Sequence, residues 1–167
     1  VLEIENHTNP VITGLEYDSR RVECGSCFIA VVGVANDGHD YIDSAIERGA
    51  MAIVCQKMPQ TRAEGVAYVV VEDSNKAMAA MAAAIYNHPS KELHLVGVTG
   101  TNGKTTTATL LYDMFTAMGH KVGLISTVVY RIGEQRIEST HTTPDAIRVN
   151  KMMREMVDEG CTYCVME

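Results

Sequence analysis

Gly100-Thr101-Asn102-Gly103-Lys104-Thr105-Thr106 places glycines, a lysine and paired hydroxyls in one uninterrupted run. Such a run can bind phosphate. Glycines let backbone N–H groups approach anionic oxygens, Lys104 can reach the outer phosphates, and the Thr105 hydroxyl can ligate magnesium. The general phosphate-loop spacing asks for glycine where Val98 stands, although Gly97 and Gly100 lie close by. Binding of a nucleoside triphosphate is the expectation, against an ordinary glycine-rich turn. The loop alone does not say which nucleophile receives the phosphoryl group.

Other residues offer chemistry more weakly. Glu167 follows an apolar run and could coordinate magnesium opposite Thr105 at the carboxyl edge of a sheet. Asp18-Ser19-Arg20 could form a hydrogen-bonded turn, and His39, in Asp37-Gly38-His39, could stabilise its loop or cap the next helix. Thr142-Thr143-Pro144 has the form of a helix entrance, where one threonine could serve as the cap. Cys24 and Cys27, like Cys161 and Cys164, have the two-residue spacing of zinc and redox sites. In a strand, however, residues three apart face opposite ways. Buried free thiols are therefore expected, and the odd total of five cysteines agrees with a reducing compartment.

The elements that must position these groups alternate between strand and helix. Strands are expected at 11–15, 28–32, 51–55, 66–71, 93–98, 122–126 and 163–166, with a hairpin centred on Gly133. Helical spacing appears at Tyr41, Ile42, Ala45 and Ile46. A second helix, capped by Asp73 or Ser74, runs to about Asn87 with Ala77, Met81, Ala84 and Ile85 on its buried face. Further helices span 104–118 and follow Pro144. The loop 99–103 thus joins a strand to a helix, whose N-terminus adds partial positive charge for phosphate. The alternation predicts an α/β fold with mostly parallel sheets, and the stretch 87–90 predicts a boundary between domains at 1–90 and 91–167.

The 167 residues are 46% hydrophobic with four prolines, enough to bury a core, and carry a formal charge of −7. That charge offers no general attraction for nucleic acid, so no nucleic-acid partner is expected. No apolar run is long enough to cross a bilayer and no secretory leader is recognisable, so no membrane association and a cytoplasmic location are expected.

The ordered set Asp18-Ser19-Arg20-Arg21-Val22, Phe28-Ile29-Ala30, Asp37-Gly38-His39-Asp40-Tyr41-Ile42, Ala45, Gly49-Ala50, the 100–106 run, Thr142-Thr143-Pro144 and Met166-Glu167 resembles the Mur ligase family, MurE type. The resemblance spans nearly the whole chain. It implies an N-terminal substrate-binding domain followed by the beginning of a phosphate-loop ATPase domain, in a monomeric enzyme of peptidoglycan synthesis. ATP with Mg2+ would phosphorylate the terminal carboxylate of UDP-N-acetylmuramoyl-L-alanyl-D-glutamate. The amine of meso-diaminopimelate or L-lysine would then attack the acyl phosphate to give an amide, ADP and phosphate.

The same resemblance implies that Gly100, Thr101, Asn102, Gly103, Lys104, Thr105 and Thr106 bind the nucleotide, with Lys104 catalytic and Thr105 and Glu167 on the metal. It places Ser19, Asp37, Gly38 and His39 on the UDP side of the substrate and Thr142 and Thr143 near the muramoyl peptide. Cys27 and His141 depart from the family pattern, where a larger apolar residue and an asparagine are common. The family's carbamylated lysine, further metal-binding histidine and amino-acid-recognition domain would lie after Glu167, so the 167 residues alone are expected to be inactive. The alternatives are a D-alanyl-D-alanine-adding Mur ligase, against which Thr142-Thr143-Pro144 argues, a folylpolyglutamate-type ligase, and a noncatalytic nucleotide-binding regulator.

Overall fold

The apolar runs of the first half line up as strands of one sheet. In this computed structural model, which describes residues 1–5, 9–33, 36–132, 135–138 and 144–167, β1 (Glu3–Glu5), β2 (Gly14–Glu16), β3 (Ser26–Ile29), β4 (Ala52–Cys55) and β5 (Ala67–Val70) assemble in the order β1-β5-β4-β3-β2. Strands β2 to β5 run parallel, and β1 adds antiparallel to the β5 edge. Every residue of β3 and β4 is buried, as expected of strands covered on both faces. Helix α1 (Ile42–Glu47) contributes Ile42 and Ala45 to a core with Phe28, Ile53 and Tyr68.

Helix α2 (Ser74–Ile85) is capped by Asp73, whose carboxylate accepts the N–H groups of Asn75 and Lys76 at 2.9 and 3.0 Å. Its buried stripe is Ser74, Met78 and Ala82, whereas Ala84 and Ile85 are exposed. The stripe is rotated from the expected face because the Ser74 hydroxyl turns inward to Gln56 Oε1 at 2.9 Å, orienting the first turn. The chain divides into two units within this helix, Val1–Ala82 and Ala83–Glu167.

The second unit has its own sheet, β6 (His94–Gly97), β7 (Val122–Ile125), β8 (Val129–Ile132), β9 (Gln135–Glu138) and β10 (Tyr163–Met166), in the order β6-β10-β7-β8-β9. The first three in that order are parallel, and β8 and β9 form an antiparallel extension. The last strand of the chain therefore inserts between β6 and β7. Alternation of side chains along the strands separates two cores. Val122, Leu124 and Val165 pack with Ala108 and Tyr112 of α3 (Lys104–Ala117), while Ile125 and Cys164 pack with Met152, Met153 and Met156 of α4 (Ala146–Asp158). Gly123 leaves room for this packing, since a Cβ there would meet the Met156 side chain.

Among the described residues no three His, Cys, Asp or Glu side chains form a metal cluster. The strand-alternation reason given for Cys161 and Cys164 does not apply, because β10 begins only at Tyr163 and both thiols enter the same core. Burial pushes the Cys27 and Cys164 thiols up to about 12 and Cys55 to about 11.

Candidate functional site

The turn between β6 and α3 is open on its concave side. Gly100 and Gly103 adopt φ values of 145° and 77°, conformations that favour glycine, and a Cβ on either would meet nothing within 4 Å. The N–H groups of Gly100, Thr101, Asn102 and Gly103 donate to no group among the described residues. No side chain caps α3 either, because Gly103 occupies the N-cap position. Four loop amides and a helix N-terminus are thus available to an anion. Lys104 folds back over the loop, its Nζ donating to Gly100 O at 2.8 Å.

Glu167 leaves β10 at the same carboxyl edge, since Met166 pairs with Gly97 on one side and Ile125 on the other. Its Oε1 accepts the N–H of Thr127 at 2.8 Å and the Thr127 hydroxyl at 2.5 Å. Its Oε2 is buried and has no hydrogen-bond partner among the described residues. Burial pushes the carboxyl up, but the Thr127 bonds, the Thr105 hydroxyl and the Lys104 charge outweigh it and leave the group below its ordinary value. The Thr105 hydroxyl acts on the carboxyl without closing a hydrogen bond to Oε2.

This donor set fits magnesium. A buried carboxylate oxygen lacking a proton donor and a hydroxyl that acts on the same carboxyl are hard oxygen ligands, and Mg2+ commonly uses one or two protein oxygens together with water and phosphate. When bound, the ion would screen phosphate charge and polarise a phosphoryl oxygen. Thr106 belongs to the first turn of α3.

The first unit gathers a different set at the carboxyl edge of its sheet. The turn after β2 is a 3-10 turn, Ser19–Arg21, whose N-cap Asp18 accepts from Arg20 N at 3.0 Å and holds the Arg20 guanidinium at 2.9 and 2.7 Å. The Arg20 hydrogen bond is the main reason that the Asp18 carboxyl falls to about 2. Ser19 itself is buried.

After β3, a second 3-10 turn spans Gly38–Tyr41, with Asp37 at its N-cap. Asp37 Oδ1 accepts from His39 N at 3.0 Å and lies 2.6 Å from His39 Nδ1, and these bonds lower its carboxyl. On the other side of the ring, Nε2 accepts the N–H of Gln56, beyond β4, at 2.9 Å. Both ring nitrogens of His39 are therefore engaged within the protein, and the Gly38 N–H is spent on Val31 O at 2.9 Å. His39 and Gly38 thus shape the loop, and among the described residues Asp37 Oδ2 accepts no hydrogen bond. Loops at the carboxyl ends of parallel strands are the usual ligand position in open α/β sheets.

Thr142, Thr143 and the neighbouring His141 lie outside the described residues, as does Gly133 of the expected hairpin, though β8 and β9 do pair antiparallel. The helix after Pro144 is capped by Asp145, whose Oδ1 accepts from Arg148 N at 2.9 Å, rather than by a threonine. Sequence reasoning missed Thr127. Its only local signal is a hydroxyl just past an apolar strand, and its importance depends on β7 being the neighbour of β10.

Known proteins resemble both parts of the chain. A family model described as Mur ligase family, catalytic domain, matches residues 11–91, and one described as Mur ligase middle domain matches residues 98–167. The UDP-N-acetylmuramoyl-L-alanyl-D-glutamate–2,6-diaminopimelate ligase of Bacteroides fragilis is 51% identical over 166 residues, covering 99% of this chain and 34% of that protein. The ligase of the same name from Cytophaga hutchinsonii is 47% identical over 168 residues, covering 100% and 35%.

Among solved structures, a UDP-N-acetylmuramoyl-L-alanyl-D-glutamate–2,6-diaminopimelate ligase matches with a TM-score of 0.75 at 22% identity, over 93% of this chain and 32% of that one. The MurF ligase of Thermotoga maritima in complex with ADP matches with a TM-score of 0.59 at 26% identity, over 94% and 32%. The chain spans about a third of the length of the relatives it matches.

Proposed function

Because the chain belongs to the Mur ligase family and is of the MurE type, we propose that it carries the nucleotide-sugar and phosphate-loop regions of an ATP-dependent ligase. That ligase adds the third peptide residue to UDP-N-acetylmuramoyl-L-alanyl-D-glutamate in cytoplasmic peptidoglycan synthesis. The names of the relatives favour 2,6-diaminopimelate over lysine as that residue. In this reading residues 1–90 bind the UDP-sugar and residues 91–167 belong to the ATP-binding domain. The observation that carries it is that the Thr105 hydroxyl and the Lys104 charge act on the Glu167 carboxyl at the same sheet edge as four loop amides that donate to no group among the described residues.

The residues divide the work by chemistry. The amides of 100–103 and the α3 N-terminus hold phosphate oxygens, and Lys104 exchanges its contact with Gly100 O for the outer phosphates, offsetting charge as the phosphoryl group leaves. Thr105 and Glu167 would hold the magnesium ion, which would screen phosphate charge. Ser19 and Asp37 contact the UDP moiety, with Gly38 and His39 fixing the loop that presents Asp37. Thr142 and Thr143 contact the muramoyl peptide. Amide formation requires regions beyond the third of the relatives' length that the chain spans.

Calorimetric titration of the 167-residue chain with ADP in the presence of Mg2+ tests this reading. Binding is expected, and Lys104→Ala should weaken it about ten- to hundredfold by removing a charge-assisted bond while leaving the fold intact. Wild-type affinity in that variant would sink the phosphate-loop assignment. In a parallel assay with ATP, Mg2+, 2,6-diaminopimelate and UDP-N-acetylmuramoyl-L-alanyl-D-glutamate, the chain alone should form no amide. Amide formation would overturn the requirement for further regions.

A further inference from the structure

We propose that Thr127 is a positioning residue for the cation site: by occupying Oε1 of Glu167 with two donors, it leaves Oε2 as the oxygen open to the ion. The inference rests on the reading of Thr105 and Glu167 as magnesium ligands.

The geometry is specific to one carboxylate oxygen. Thr127 spends both its N–H and its hydroxyl on Oε1, at 2.8 and 2.5 Å, and gives nothing to Oε2. Each carboxylate oxygen offers about two lone-pair sites, so Oε1 is saturated and Oε2 is wholly free. Two donors from a single residue also prevent the carboxylate from turning about its last torsion, which is otherwise soft.

The direction of these donors is fixed from behind. Ser126 is buried, its Oγ donates to Val129 O at 2.8 Å and accepts from Val129 N at 3.1 Å, and its backbone N–H also reaches Val129 O at 3.1 Å. The tight turn between β7 and β8 therefore holds Thr127 toward β10, where Glu167 N donates to Ile125 O at 3.0 Å. A threonine serving only to join the two strand ends would have no reason to leave the second oxygen buried and unpaired. A cation ligand gains from both features, since the oxygen is preoriented and has no competing proton donor.

Mn2+ binding to the 167-residue chain, followed by electron paramagnetic resonance with and without ADP, separates the possibilities. ADP affinity in EDTA serves as the metal-free control. Thr127→Val should weaken ADP-dependent Mn2+ binding about ten- to hundredfold, as loss of a group orienting a metal ligand does. Its ADP affinity in EDTA should stay within about twofold of wild type, because among the described residues the side-chain hydrogen bond of Thr127 goes to Glu167 and not to the phosphate loop. Thr127→Ser keeps both donors and should restore wild-type Mn2+ binding.

Thr127 is exposed, so the fold should tolerate these changes, and Thr127→Ala replaces the valine variant if that one does not fold. Wild-type Mn2+ affinity in the valine or alanine variant overturns the positioning role and leaves the nucleotide reading standing. Failure of serine to rescue, or an equal loss of metal-free ADP binding, also overturns it. If ADP binds but promotes no Mn2+ binding to the wild-type chain, the metal-ligand reading fails and the positioning role falls with it.

Discussion

His39 accepts the backbone N–H of Gln56 on Nε2 at 2.9 Å, tying the loop after β3 to the end of β4. Because Nε2 accepts, the ring proton sits on Nδ1, where it is donated to Asp37 Oδ1 at 2.6 Å. His39→Ala removes the acceptor from two backbone donors, Gln56 N at 2.9 Å and Lys57 N at 3.3 Å, and the donor from one carboxylate. The loss should be about 1–3 kcal/mol of stability, measured from urea unfolding midpoints. Amide exchange at Gln56 should accelerate as well. A variant within about 0.5 kcal/mol of wild type with unchanged exchange at Gln56 would mean that the imidazole does not pin the loop.

Gly38 packs directly on the backbone that leaves β3. A Cβ there would lie 2.6 Å from Val31 N and 2.8 Å from Val31 O, neither of which is the flexible end of a side chain. Gly38→Ala should therefore cost about 1–3 kcal/mol by forcing the turn away from Val31. The displaced turn carries Asp37 with it, so UDP-sugar affinity should fall in the same variant. Retained stability would show that the turn can shift freely, contrary to the tight contact.

Asp18 gives the first unit a measurable pH dependence. Its carboxyl titrates near 2 when folded, against an ordinary value of 3.8, chiefly through the Arg20 hydrogen bond. A depressed folded value means that the stabilisation is present above the unfolded value and lost as pH falls from about 4 to about 2. The partner Arg20 is exposed, so solvent screening keeps the contribution below about 1 kcal/mol. Unfolding free energies of the wild type and Asp18→Asn should differ at pH 5 and converge near pH 2. A constant difference across that window would exclude the pair as its source.

Much of the second unit's site can be read locally. The 100–106 run announces phosphate binding because its amides, lysine and hydroxyl are contiguous, and the strand before it and helix after it show in the apolar pattern. Met166 and Glu167 are likewise visible as a strand ending in a carboxylate. The first unit is less legible. Asp37-Gly38-His39 stands out by its residue types, but the types do not reveal that His39 faces Gln56, which lies beyond a helix and a strand. The buried stripe of α2 is hidden in the sequence for a related reason, since alanines satisfy several helical faces and the inward hydroxyl of Ser74 selects one.

By itself, then, the sequence determined an alternating α/β chain, a phosphate loop and a carboxylate at the end of a strand, all properties of neighbouring residues and their spacing. Tertiary structure alone decided that β10 enters between β6 and β7, bringing Glu167 beside the loop and against Thr127, 40 residues earlier in the chain. The physical reason is that strand order follows from burial. β10 carries Val165 toward α3 and Cys164 toward α4, and only a strand covered on both faces hides both side chains.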